Sequence, residues 1–253
     1  MTNSGPFQHI LITGASSGIG EALAMAYAAV GVTLSLSGRN EARLGAVAEA
    51  CRQRGASVDA AARDVTDRDA MASWITSRDQ ISPIDLVIAN AGVSAGIGES
   101  DDTTRRIFAI NLDGVINTVL PALAVMRPRK RGQFALISSL ASFRGMGGAP
   151  AYCSSKAAVR VWGEGLRGAL AGEGIGVSVV CPGFVTSRMT DVNTFPMPFL
   201  MSAEKAAAII QRGLAANTGR VAFPWPMLFG VWFLALLPDA VAGAFTRVLP
   251  KKP

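Results

Sequence analysis

The 253-residue sequence predicts a doubly wound parallel α/β sheet, one domain with helices on both faces. Three observations carry this expectation. Apolar runs of strand length alternate with helically spaced segments from residue 9 to residue 224. One run, "IDLVIANAG" (84–92), is nearly continuous, as a strand covered on both faces requires. A glycine-rich turn, "TGASSGIG" (13–20), stands where the first strand becomes the first helix. With half of all residues hydrophobic, the chain has material for a substantial core.

In chain order, "HILITG" (9–14) reads as a short buried strand ending in a turn. From Ile19 the positions Leu23, Tyr27 and Val30 keep helical spacing, closed by Gly31. A strand follows over 32–38, then a helix over about 40–54 ended by Gly55. A weaker strand over 57–65 leads to Thr66-Asp67-Arg68-Asp69, a capping-box start for the next helix. After the central strand 84–92, a long helix is expected from Thr103 to Met126, then a strand at 132–139. The remaining pairs are a helix from Tyr152 to Leu170 with a strand at 176–183, and a helix at 203–216 with a short strand at 220–224. No linker divides them.

Composition narrows the function classes. Cys51, Cys153 and Cys181 show no paired spacing and no disulfide framework, which fits a reducing cytoplasm. The apolar run after Gln8 is short and has no cationic flank, so no signal peptide is expected. A net charge of +6 favours anionic partners such as a phosphorylated cofactor or an acidic membrane. The basic run Arg127-Pro128-Arg129-Lys130-Arg131 reads as a solvated helix–strand loop, and with no interleaved aromatics it does not suggest nucleic-acid binding. One histidine, His9, is expected to be structural, and no metal site is expected.

The stretch "YCSSK" places Tyr152 and Lys156 four residues apart, on one face of a helix. Alone, the pair would pass for an ordinary surface helix. It stands in a set, however: Thr13-Gly14-x-x-x-Gly18-x-Gly20, Asp64, Asn90-Ala91-Gly92, Asn111, Ser139, Tyr152-x-x-x-Lys156 and Pro182-Gly183. In these motifs, from residue 9 to about 222, the sequence resembles the short-chain dehydrogenase/reductase family in its form of about 250 residues.

The resemblance implies a Rossmann-type domain (1–222) and an oxidoreductase acting on CH–OH or C=O groups. Tyr152 would be the proton donor, Lys156 would lower its pKa and orient the cofactor, and Ser139 would polarise the carbonyl. Asn111 would anchor a water in a proton relay. Cofactor contacts are implied at Gly14, Ser16, Ser17, Gly18, Ile19, Gly20, Asp64, Val65, Asn90, Ala91, Gly92, Tyr152, Lys156, Pro182, Gly183, Val185 and Thr186. The family's NAD-selecting acid would fall at Gly38, which Arg39 follows; a guanidinium suits a 2′-phosphate, so NADP is expected and NAD is the alternative. Two departures stand out: "ANAG" replaces the commoner "NNAG", and serines fill the loop positions where many NADP-using relatives carry a second base. A non-catalytic nucleotide-binding regulator is the rival from another class, and the intact Tyr152 and Lys156 argue against it. A homodimer or homotetramer is implied as well.

The segment 187–202 corresponds to the family's substrate lid. Its Met189 and Phe195, with Ser139 and Tyr152, are expected to meet a hydrophobic ketone or alcohol. The apolar extension 223–253 has three readings: a subunit interface, a peripheral membrane contact anchored by Trp225, Trp232 and Lys251-Lys252, or a cover over the pocket. Its uninterrupted stretch Met227–Leu237 is far below the ~20 residues of a spanning helix.

Overall fold

The computed structural model describes residues 7–94, 100–238 and 240–243. Seven parallel strands form one sheet: β1 (His9–Thr13), β2 (Thr33–Gly38), β3 (Ser57–Ala62), β4 (Leu86–Ala89), β5 (Gly132–Ile137), β6 (Ile175–Pro182) and β7 (Arg220–Phe223). Their spatial order is β3-β2-β1-β4-β5-β6-β7. The register pairs Leu11 with Ser35 on one side and with Val87 on the other. Strand order therefore reverses between β1 and β4, and the crevice at their carboxyl ends is where such sheets bind ligands.

Helices α1 (Gly18–Tyr27), α2 (Glu41–Gln53) and α8 (Ala203–Ala215) cover one face, packing Leu23, Leu44 and Ile210 against Ile10, Ile12 and Leu34. On the other face α3 (Arg68–Ile81), α5 (Gly114–Met126) and α6 (Pro150–Leu170) pack Trp74, Val119 and Val159 against Leu11, Val87 and Phe134. Burial on both faces is why the central strands read as unbroken apolar runs. Three further helices are α4 (Asp101–Phe108), the single turn α7 (Arg188–Asp191) and α9 (Trp225–Leu236).

Most element ends lie within a few residues of expectation, and the departures are local. The strand expected over 84–92 pairs only over Leu86–Ala89, and Asn90–Ser94 leaves the sheet at the crevice. Asp67, rather than Thr66, caps α3, its Oδ1 accepting from Ala70 N at 3.0 Å. The helix expected from Thr103 begins at Asp101, under a Ser100 cap, and carries a π-turn over Ala109–Asp113. The helical stretch 101–129 is long and apolar enough to cross a membrane, yet half of its most apolar window is buried inside the protein. That is the pattern of a core helix.

The basic run lies largely exposed between α5 and β5, as expected, and its arginines are paired. Arg127 pairs with Glu173, Arg129 forks onto both oxygens of Asp79 at 2.7 Å, and Arg131 reaches Asp85 at 3.0 Å. Each of its three guanidinium charges is thus met by a carboxylate. His9 is buried at the sheet's amino end, with Nδ1 on Ser82 O (2.7 Å) and Nε2 on Ser35 Oγ (2.9 Å). Burial keeps its pKa below the usual value, so it serves structure as a neutral ring. All three cysteines are free and buried.

Candidate active site

One cavity of about 1360 Å³ opens along the carboxyl ends of the strands. Gly14, Ser16, Ser17, Gly18 and Ile19, from the turn between β1 and α1, form one wall. Gly14 has φ +67°, and a Cβ there would come within 2.8 Å of Ala91 Cα, so the turn needs glycine both for conformation and for close approach. Side chains cap α2, α3, α4 and α8, through Asn40, Asp67, Ser100 and Ser202 respectively. Ser17 makes no such bond to α1. The amino end of α1 thus meets the cavity with its first-turn N–H groups uncapped by any side chain, a seat suited to a pyrophosphate.

At one end of the cavity stand Arg39, Arg43, Arg63, Asn40 and Asp64. Gly38 packs against the loop, a Cβ there falling 3.0 Å from Ser16 Oγ. Partial burial would raise the Asp64 carboxyl. It is outweighed by hydrogen bonds from Thr66 N (3.0 Å) and Oγ1 (2.9 Å) and by the charges of Arg39 and Arg106, which hold the group below its usual range. Val65, Asn90, Ala91 and Gly92 continue the wall. Asn90 Nδ2 donates to Thr13 O and Gly14 O, locking the glycine turn to the end of β4.

Ser139 and Lys156 lie at the middle of the cavity, both buried, and Tyr152 is half-buried beside them. Ser139 follows β5; Tyr152 and Lys156 sit on one face of α6 near its start. Burial raises the Tyr152 phenol above its ordinary value, partly offset by a hydrogen bond with Ser139. Lys156 Nζ donates to Ile137 O at 2.8 Å. Burial pulls this ammonium down to about 8. A Cβ at Gly92 would stand 3.2 Å from Lys156 Nζ and from Asn111 Oδ1, so any larger residue would crowd both groups.

Three of the sequence-predicted residues are not on the cavity wall. Gly20 lies beneath the turn, where a Cβ would collide with Gly14 O and Asn90 Nδ2. Asn111 is buried in the π-turn, its Oδ1 accepting from Val93 N (2.8 Å) and its Nδ2 donating to Val93 O (2.9 Å) and Ser155 Oγ (3.0 Å). Its amide therefore ties the 90–94 segment to α6. Thr186 is exposed, with its hydroxyl on Met201 O at 3.3 Å. Pro182, Gly183 and Val185 do line the cavity, as do Met189 and Phe195.

Residues that no motif marks complete the apolar end. Met146, Phe184, Pro196 and Pro198 line it, and α9 closes it with Met227, Gly230, Val231, Phe233 and Leu234. Of the three readings of the extension, its first helix thus covers the pocket; residues 244–253 lie outside the described residues. Arg43 and Arg63 were missed too: Arg63 comes beside Arg39 only through the β2–β3 pairing, and no motif marks Arg43, although it lies just four residues on.

The fold has known counterparts. The sequence model of the family described as short chain dehydrogenase matches residues 8–195. An uncharacterised oxidoreductase of Myxococcus xanthus is 36% identical over 247 residues, covering 96% of this chain and 98% of that protein. Among solved structures, a short-chain dehydrogenase/reductase from Burkholderia phymatum in complex with NAD superposes with a TM-score of 0.82 at 23% identity, covering 88% of this chain and 91% of that one. A short-chain dehydrogenase from Sphingobium yanoikuyae in complex with NADPH gives 0.80 at 24% identity, with 96% of both chains covered. A glycine turn under an uncapped helix, a Ser–Tyr pair beside a buried lysine and these matches converge: the chain belongs to the short-chain dehydrogenase/reductase family and is an NAD(P)-dependent oxidoreductase.

Proposed function

We propose that the protein is an NADPH-dependent carbonyl reductase acting on hydrophobic ketones. The observation that carries this reading is the placement of Tyr152, Ser139 and Lys156 midway along one cavity, between an arginine-ringed end and an apolar end. A nicotinamide held along this cavity would supply the hydride to the carbonyl carbon. Tyr152 gives its proton to the carbonyl oxygen, and Ser139 holds that oxygen with a hydrogen bond. A phenol raised by burial stays protonated at neutral pH, which suits a donor and hence reduction. Lys156, as a buried ammonium one turn away, stabilises the phenolate left behind. Asn111 is a positioning residue that fixes the wall segment 90–94 against α6.

The 2′-phosphate preference rests on Arg39, with Arg43 and Arg63 beside it and no acid at Gly38. These two arginines supply the further positive charge that the serines of the glycine turn do not. Arg39→Asp is expected to raise KM for NADPH by roughly 10- to 100-fold and to change KM for NADH much less. Steady-state kinetics with both cofactors checks this. Equal losses with both would remove Arg39 from the phosphate site.

The substrate class rests on Met146, Met189, Phe195, Met227, Val231 and Leu234, an apolar and partly thioether-lined end. Gly230 lies in the middle of α9 on this wall, and a Cβ there would meet nothing within 4 Å. A glycine inside a helix is destabilising by about 1 kcal/mol relative to alanine, so room for the ligand is the evident return. Gly230→Phe should therefore lower kcat/KM for long-chain ketones by about 10-fold or more while sparing short ones. A series of ketones of graded length reads this directly, and a uniform effect across the series would count against it.

A further inference from the structure

Helix α9 is apolar on every side, and its two sides face different surroundings. Met227, Leu228 and Val231 pack on Leu140, Val179 and Cys181, and Leu234 faces the cavity. Trp225, Phe229, Trp232 and Leu236, spaced by four, three and four residues, form the opposite stripe and are 76%, 61%, 48% and 62% exposed. Phe229 stacks with Phe233 at 6.5 Å and lies 6.4 Å from Trp232, so the stripe is a contiguous aromatic surface. An all-apolar helix with one side bare calls for something else to cover it.

The position of the stripe selects the cover. Phe233 both lines the cavity and is 53% exposed, so the stripe borders the cavity's mouth. The lid segment on the other side of the cavity carries its own exposed apolar side chains at Val192, Phe199 and Leu200. A second copy seated on these lips would stopper the mouth, whereas a fluid apolar phase covers them and leaves the path open. Tryptophan and phenylalanine with flanking cations suit the headgroup boundary of an anionic bilayer. The chain carries net charge +6, and after Asp239 its sequence has Arg247, Lys251 and Lys252 and no acid. At twelve residues α9 is too short to span, and it would lie in the interface.

We propose that the outer stripe of α9 docks on the surface of an anionic lipid bilayer and turns the cavity's mouth toward the lipid. The test is flotation of the full chain with vesicles of phosphatidylcholine and phosphatidylglycerol. The wild type is expected to float. A Trp225→Gln/Phe229→Gln/Trp232→Gln variant should partition at least about 10-fold less, because apolar burial sets the binding. None of these three side chains lines the cavity, so turnover of a short water-soluble ketone should be unchanged. Brominated lipid should also quench the tryptophan emission of the wild type, a readout that needs no variant. The proposal is overturned if the wild type stays in the pellet fraction, if bromine leaves its emission unchanged, or if the variant floats equally well. Failure to float combined with a dimer that the variant splits would assign the stripe to a second copy. Flotation requires no catalysis, so this surface and the reductase reading succeed or fail separately.

Discussion

Tyr152→Phe is expected to lower kcat for ketone reduction by about 10²–10⁴-fold, with cofactor affinity nearly intact. The substitution keeps the ring in its half-buried place on α6 and removes one oxygen. That oxygen belongs to the phenol whose pKa burial raises and Ser139 partly brings back down. The arginine-ringed end and the amino end of α1 are untouched, so cofactor titration by fluorescence should give a similar Kd. The raised phenol also sets a direction. Reduction draws on the protonated form, which is complete at neutral pH, while oxidation needs its loss and should speed up as the solution becomes more alkaline. Turnover at the wild-type level in the Phe variant would remove Tyr152 from the proton step.

The sheet was legible because its chemistry is local. Strand segments such as Leu86–Ala89 and Val179–Cys181 are buried on both faces, and their sequences are accordingly apolar without a break. The glycine turn and the Tyr152–Lys156 spacing were legible for the same reason, since each lies within one short segment. What was not legible depends on tertiary placement. Nothing in "AINLD" marks a π-turn; it becomes intelligible when Asn111 is seen bonding both Val93 and Ser155. Arg63 is separated from Arg39 by a helix and a strand, and only the β2–β3 pairing carries it there. For α9 the apolar pattern left a subunit interface, a membrane contact and a pocket cover all open, because hydrophobicity is non-directional. Its inner side proved to be the end wall of the cavity.

Lys156→Met is expected to have opposite effects on activity and stability. The side chain is 4% exposed and its ammonium donates to Ile137 O, the one protein acceptor its nitrogen reaches among the described residues. A fall from 10.5 to about 8 corresponds to a penalty of about 3 kcal/mol for holding that charge at neutral pH. The methionine variant escapes the penalty but leaves the Ile137 carbonyl without its donor, which costs about 1 kcal/mol. A net gain of about 2 kcal/mol should raise Tm by roughly 4–8 °C in a chain of this size. The sign is checked by pH. Below about 8 both folded and unfolded chains carry the charge and the gain is complete. Between 8 and 10.5 the folded chain releases a proton that the unfolded chain keeps, so the penalty shrinks as pH rises; above 10.5 it is gone. Melting curves of wild type and variant should therefore converge toward alkaline pH. Turnover should meanwhile fall by at least about 10²-fold, since the phenolate left by Tyr152 loses its neighbouring cation. A lysine kept only for packing would lose stability and keep its chemistry; one kept for the phenol does the reverse, and the two measurements together tell them apart.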